Sequence, residues 1–434
     1  MTASQSKQLI KQYRAEAEKK YGKSPEQLYE EREARMRDAI ALRQPDRVPV
    51  NMRMTHFPAT YVGIPKSVAY YDAAAWHNAV LKTVFDLEPD VCHVSSGMSS
   101  GAVLELLQPT QTKWPGGTLP PNSSNQAIDV ECLKESEYDL FLSDPTDFAI
   151  RYMLPRAYDS LAPLAKLPEL AGAMGVTALA EMFTRPEYRE LGRTLLRAGR
   201  ENQKWRLASG NLEADMAAAG FPPASHMGGA GGSPFDRISD SYRGMRGAML
   251  DMYRCPDKLL AACKMLLDRS LSRARPANPN TPGNPKQVFI ALHRGAEGFM
   301  SRQQFEKFYW PDLKKAMLKS IELGYVPMPF CEGRYGDRLE YFLELPKGKV
   351  VALFDQTDMF RAKEILKDHV CLMGNVPSSL LQVGSPSEVE EYCKKLIKVC
   401  GKGGGFILSN GSSIDEAKPR NIRAMIESAK KYSP

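Results

Sequence analysis

With 434 residues, 43% hydrophobic side chains and a net charge of +7 that is not gathered into a basic block, the chain has material for a large core and no electrostatic footprint for nucleic acid. No apolar run of about 18 residues occurs, which argues against an ordinary membrane-spanning helix. The start, Met1–Lys7, has no apolar core of the signal-peptide type, and the eight cysteines include no Cys-x-x-Cys pair, so a reducing cytoplasm is the expected compartment.

In chain order, residues 5–45 read as helix, dense in Lys, Glu, Gln and Arg, with Ser24-Pro25-Glu26 opening the second half. This is expected to form an N-terminal helical extension (1–45) ahead of one domain covering 46–434. Its charges read as a solvated face, with a homodimer or partner-protein contact as the alternative. Asp46-Arg-Val-Pro-Val50 reads as a first strand, 72–87 as helix and Pro89–Ser96 as a second strand. Gln108–Asn125, rich in Pro, Gly, Thr and Ser, reads as a long loop in which Trp114 could serve a lid. Ser143-Asp-Pro-Thr-Asp147 signals a helix start, and 185–219 reads as one long amphipathic helix. Ala224–Phe235 is the most glycine-rich segment. It lacks both the P-loop ending and dinucleotide spacing, so it reads as a loop needing positive φ and close backbone approach. Residues 235–275 are expected to be helical, and Ala277–Lys286 is a Pro/Asn-rich connector.

Beyond this point one pattern repeats: a short apolar strand runs into a polar or glycine-bearing turn. The runs are Val288–Leu292 ending on His293, Val326–Phe330 ending on Cys331-Glu332, Val350–Phe354 ending on Asp355, Val370–Gly374 ending on Asn375, and Gly405–Ser409 ending on Asn410. Helical stretches separate most of them. Repeated strand–helix units require right-handed crossovers and a parallel sheet, and a (β/α) barrel places its chemistry at such strand exits. His293, Cys331, Glu332 and Asp355 therefore converge on one mouth. A metal held by Cys331 and His293 with Glu332 or Asp355 is conceivable there, against the plainer reading of Cys331 as a small buried residue and Glu332 as a hydrogen-bonding acid. Cys371 starts its strand and should lie deeper. His93 lies within a strand and reads as core, while His226 heads the glycine loop and could reach the mouth. His369 precedes a strand at the opposite face and reads as structural.

With these residues in hand, the chain resembles the uroporphyrinogen decarboxylase superfamily from about Arg43 onward. The anchors are Asp46-Arg-Val-Pro-Val-Asn-Met-Arg53, Gly374-Asn375-Val376 and Leu408-Ser-Asn-Gly411. The resemblance implies an α/β fold, a (β/α)8 TIM-type barrel. It also implies that Arg53 survives from a two-arginine motif whose second arginine is Phe57 here, that the decarboxylases' central aspartate falls on Gly97 after Ser96, and that their late histidine falls on Asn410. Loss of those groups argues against decarboxylation of a tetrapyrrole. In the thiol-methylating members of the other branch, the cobalamin-linked methyltransferases, zinc is held by a His-x-Cys and a later Cys, whereas methyl-ether-cleaving relatives use other ligand sets. The thiol methylators' positions are Pro329-Phe330-Cys331 and Ser412 here, so only one of three ligands remains.

The resemblance thus implies a methyltransferase moving a methyl group between a small substrate, such as a methyl ether, and a separate corrinoid protein, since no Asp-x-His-x-x-Gly motif occurs in the chain. Glu332, His293 and Asp355 are the expected catalytic residues. Arg53, His56, Asn375 and Asn410 are expected to hold the substrate, and zinc, if bound, would sit on Cys331, His293 and Glu332. His56 has a satisfied loop histidine as its alternative, and the two asparagines have turn closure as theirs. A metal-free carboxy-lyase on a smaller carboxylate and a non-catalytic tetrapyrrole or corrinoid carrier are the rival functions.

Overall fold

A computed structural model describes residues 3–94, 99–167 and 176–433. Seven parallel strands form one curled sheet: β1 (Val50–Met54), β2 (Val91–Val94), β3 (Gln287–Leu292), β4 (Val326–Cys331), β5 (Val351–Phe354), β6 (Cys371–Val376) and β7 (Phe406–Asn410). Their spatial order is β2-β1-β7-β6-β5-β4-β3, so neighbours in space from β3 to β7 are also neighbours in sequence. Each β4-to-β7 connection carries a helical segment that returns the chain across the sheet, as parallel pairing demands. The five late strands expected from sequence form within two residues of their predicted limits.

The expected eight-stranded barrel is met as far as this curled seven-stranded sheet. Between β2 and β3, Phe221–His226 touches both edge strands. Pro223 bridges Cys92 in parallel, and the His226 amide donates to the Gln287 carbonyl at 2.6 Å.

Alternation along each strand separates two cores. Met52, Leu292, Cys331, Phe354, Leu372 and Leu408 join the helices in the larger outer core. The helix Pro386–Cys400 shows why these residues pack there. Val389, Cys393, Leu396, Ile397 and Cys400 line one face at helical spacing, and Ser385 with Glu388 closes a capping box at its start. The opposite strand face carries Val91, Met328, Leu353, Met373 and Ile407, packed with Met36, Ala39 and Ile40 from the helix Pro25–Ile40. That helix starts at Ser24, as expected, but its face is not simply solvated. Arg35 is buried against Asp90 and Asp46, each contact 2.5 Å long. Burial would raise the Asp90 carboxyl; Arg47 and Arg35 together hold it below its usual range.

Other expectations shift. The first strand begins where the predicted one ends: Pro49 has no amide to give, and the Val48 amide is taken by Ser433 Oγ at 2.8 Å. The long helix stops at Ser209, because Gly210 turns at φ 62° and Asn211 caps a second helix, Leu212–Ala218. The 235–275 stretch is divided into Pro234–Ile238, a wide π turn at Ser239–Arg243, Gly244–Arg254 and Pro256–Arg273. Trp114 is anchored rather than free to swing, at 3% exposure with its indole N–H 3.2 Å from the Tyr71 hydroxyl. The glycine loop behaves as read. At Gly229, φ is 76° and a Cβ would meet Val288 at 3.3 Å, so the chain can pass close along β3.

Candidate active site at the strand exits

His293 follows β3 and Glu332 follows β4, on adjacent strands, and the structure brings them together with His293 Nε2 3.7 Å from Glu332 Oε2. Asp355 follows β5 next door, where its carboxylate accepts the Gly333 amide at 3.3 Å and burial raises its pKa. Three expected residues thus stand on three consecutive strand exits.

Two residues that sequence reading missed hold this group from outside. Asp236, Ser239 and Asp240 share one face of the helix and π turn that follow the glycine loop, at i, i+3 and i+4. Asp236 accepts the His293 amide at 3.2 Å and the Arg294 amide at 2.9 Å, and the Tyr309 hydroxyl donates to it at 2.5 Å. Its full burial pushes its pKa up to about 6, despite those donors. Asp240 Oδ2 meets His293 Nδ1 at 2.6 Å, while its other oxygen accepts from Arg294 at 3.1 Å. The hydrogen bond to Asp240 raises the His293 pKa, outweighing desolvation. The signal was present as Phe235-Asp-Arg-Ile-Ser-Asp240, but only the fold shows which strand exit it faces.

Below the rim lies a charged floor. Alternation puts Phe289 four residues before His293 and Phe330 two before Glu332, on the same strand faces. The Arg53 guanidinium sits over both rings, 4.6 Å from Phe289 and 5.5 Å from Phe330. Arg53 is 3% exposed, and its Nε and one terminal nitrogen have no hydrogen-bond partner among the described residues. Burial lowers its pKa to about 10. A cavity of about 440 Å³ borders this floor, lined by His93, Ser225, Met216 and Phe289 among others. His93 is more than the core residue expected: it pairs with Arg53 across β1 and β2, stacks on Phe289 at 5.9 Å and lies 3.3 Å from Ser225. Burial lowers its pKa to about 4, so it is neutral at pH 7. An unpaired buried guanidinium beside a cavity is what a carboxylate ligand would satisfy.

The remaining expected residues do other work. Cys331 is fully buried in the outer core, one position off the Phe330 face, and burial holds its thiol well above the usual range. A zinc ligand must be a thiolate aimed at the metal. The set Cys331, His293 and Glu332 therefore does not fit zinc, and among the described residues no group of three His, Cys, Asp or Glu is placed to hold a metal. Cys371 lies in the inner core, as its position early in the strand implied.

The asparagines' expected role as substrate donors gives way to closing turns, because their amide hydrogens are already spent. Asn375 Nδ2 donates to the Asp355 and Thr357 carbonyls at 3.0 and 2.9 Å. Asn410 Nδ2 donates to the Arg53 and Ser412 carbonyls at 3.0 and 2.6 Å, while its Oδ1 accepts the Arg53 amide at 3.0 Å. His56 is fully buried, with Nδ1 2.7 Å from Asp415, which Lys66 also holds at 2.7 Å. Burial would raise the Asp415 carboxyl, but hydrogen bonds from His56, Lys66 and Ser124 drive it far down. His226 is tied to the Pro282 carbonyl at 2.8 Å, near the start of β3 and away from its exit. His369 Nε2 is tied to the Leu345 carbonyl at 2.6 Å, in the structural role expected. Ser96 and Gly97 lie outside the described residues.

No curated protein matches the chain. Among solved structures it is similar to a methyltransferase from Methanosarcina mazei, with a TM-score of 0.55 and 14% identity over 92% of this chain and 98% of that one. At that identity the likeness shows the fold alone. The family model described as Uroporphyrinogen decarboxylase (URO-D) matches residues 215–432, which is half of the chain and contains β3 to β7 with their exits. The chain therefore belongs to the uroporphyrinogen decarboxylase family, as its sequence anchors implied.

Proposed function

We propose that this protein is a methyltransferase of its superfamily, taking a methyl group from a small methyl ether that carries a carboxylate and passing it to a corrinoid on a separate protein. The observation that carries this reading is the unpaired Arg53 guanidinium below a rim of His293 and Glu332. The similarity in fold to a methyltransferase supports the transfer chemistry. On this reading Phe221–His226 takes the eighth barrel position.

In the bound state Arg53 would hold the substrate carboxylate, with Phe289 and Phe330 packing against its body. The ether oxygen would then lie toward the rim, where His293 Nε2 can give it a proton as the C–O bond breaks. Glu332, more exposed than His293, would return a proton from solvent. A corrinoid, when bound, supplies the nucleophile that accepts the methyl. No step runs through zinc, because the donor set does not fit it.

The same pocket could serve a carboxy-lyase on a small carboxylate, the reading that the unpaired Arg53 also favours. The test supplies a 13C-methyl-ether carboxylate with and without a reduced corrinoid protein. Demethylation that needs the corrinoid and is lost in Arg53→Met and His293→Gln supports the proposal. Carbon dioxide release without corrinoid would establish the lyase instead, and tetrapyrrole binding without turnover would establish a carrier.

A further inference from the structure

The exit of β3 is gripped more tightly than a turn requires. Asp236 occupies both the His293 and Arg294 amides, Ser239 Oγ accepts from Arg294 Nε at 2.9 Å, and Asp240 takes His293 Nδ1 at 2.6 Å. Every one of these contacts comes from the short helix and the π turn that continues it. A π turn is wider than an α turn and re-aims the side chains it carries. Here it brings Asp240 to the imidazole while Asp236, four residues earlier, stays on the backbone. With Nδ1 engaged, only Nε2 is left to face Glu332, 3.7 Å away.

We infer that Asp240 is the positioning residue of this site: it fixes the Nδ1–H tautomer and the ring orientation in which His293 presents Nε2 to the reacting oxygen, making His293 rather than Glu332 or Asp355 the acid. This rests on the proposed reading of the strand exits as the reaction centre. A carboxylate on the far nitrogen of a histidine sets its tautomer and steadies the imidazolium.

The charged groups facing the ring are Asp240 and Asp236 from the helix and turn, Arg294 beside it, and Glu332 from β4. Arg294 pairs with Asp240 at 3.1 Å, while Asp236 is occupied by Tyr309 and two amides. In the step, the methyl C–O bond breaks and its electron pair goes to oxygen, which takes the Nε2 proton. The methyl goes to an anionic low-valent corrinoid nucleophile, and His293 is left neutral. Charge and atoms balance: ether, anionic nucleophile and imidazolium give alcohol, methylated acceptor and imidazole.

The test needs no substrate. The full chain is labelled with 15N-histidine, and the His293 ring signals are assigned by their loss in His293→Gln. Their titration and tautomer are then followed in wild type, Asp240→Ala and Asp240→Glu. Expected is an Nδ1–H neutral ring with a raised midpoint in wild type. In Asp240→Ala the midpoint should fall and the ring should revert to the Nε2–H form that free imidazole favours, and Asp240→Glu should restore both. If Asp240→Ala does not fold, Asp240→Asn should still lower the midpoint by removing the charge. An unchanged His293 midpoint in either folded variant would overturn the inference. A ring that behaves as expected in a protein without methyl transfer would leave the positioning role standing and remove the proposed function.

Discussion

At the scale of single residues, two buried charged groups stand out because the fold works against them in different ways. Asp236 is fully buried and its pKa is raised to about 6 from 3.8. A carboxyl raised on folding contributes stability below its unfolded pKa, and that contribution is lost as pH rises through the folded value. Between about pH 4 and 6 it should cost the native state roughly 3 kcal/mol. Asp236→Asn should remove this dependence, so urea unfolding at pH 4 and pH 7 should show a smaller drop in the variant than in wild type. Arg53 is buried with no acidic partner among the described residues, and replacing such a buried charge by an apolar chain of similar length removes a desolvation cost. Arg53→Met should therefore raise the stability of the ligand-free protein by about 1–3 kcal/mol in chemical unfolding. The same variant should lose any stabilisation by small carboxylates.

At the scale of elements, the strands were legible and the direction of their side chains was not. β4 reads Val-Pro-Met-Pro-Phe-Cys, apolar on both faces, as strands buried on both sides do. Without alternation nothing in the sequence says whether Phe330 or Cys331 looks inward, so Cys331 could be read as a ligand. Since it packs in the outer core, Cys331→Ser should leave zinc content equal to wild type by elemental analysis, while costing about 1–2 kcal/mol for a buried hydroxyl. Asn410 shows the same limit from another side. A polar residue at a strand exit signals the site, but whether its donors are free depends on carbonyls of a strand far away in sequence. Asn410→Ala leaves the Arg53 amide and two carbonyls without their side-chain partner, and should cost about 2–4 kcal/mol in thermal or urea unfolding. Asp240 lay 53 residues upstream of its partner, and no local spacing could have linked it to His293.

At the scale of the whole molecule, the order of strand–helix units was enough to give the parallel sheet, because chirality and short connections leave few alternatives. The region between β2 and β3 was harder. Its chain is mostly helical, and Phe221–His226 joins the two sheet edges through isolated contacts that no apolar run announces. The N-terminal helices were legible as helices, yet their charge concealed that Met36, Ala39 and Ile40 fill the inner core. What the assembled molecule adds is depth: a rim of His293, Glu332 and Asp355 above aromatic walls, with Arg53 at the floor. Only the sheet's curl brings Arg53 over Phe289 and Phe330 and sets His293 beside Glu332.

The most direct measurement is the pH dependence of methyl transfer from a methyl-ether carboxylate to a corrinoid protein, comparing wild type with His293→Gln. The Asp240 hydrogen bond raises the His293 pKa, and an acid works only below its folded pKa. The wild-type rate should therefore fall as pH rises through that value. In His293→Gln it should be about 100-fold lower or more, with this limb gone. Equal rates and the same profile in both proteins would contradict the account.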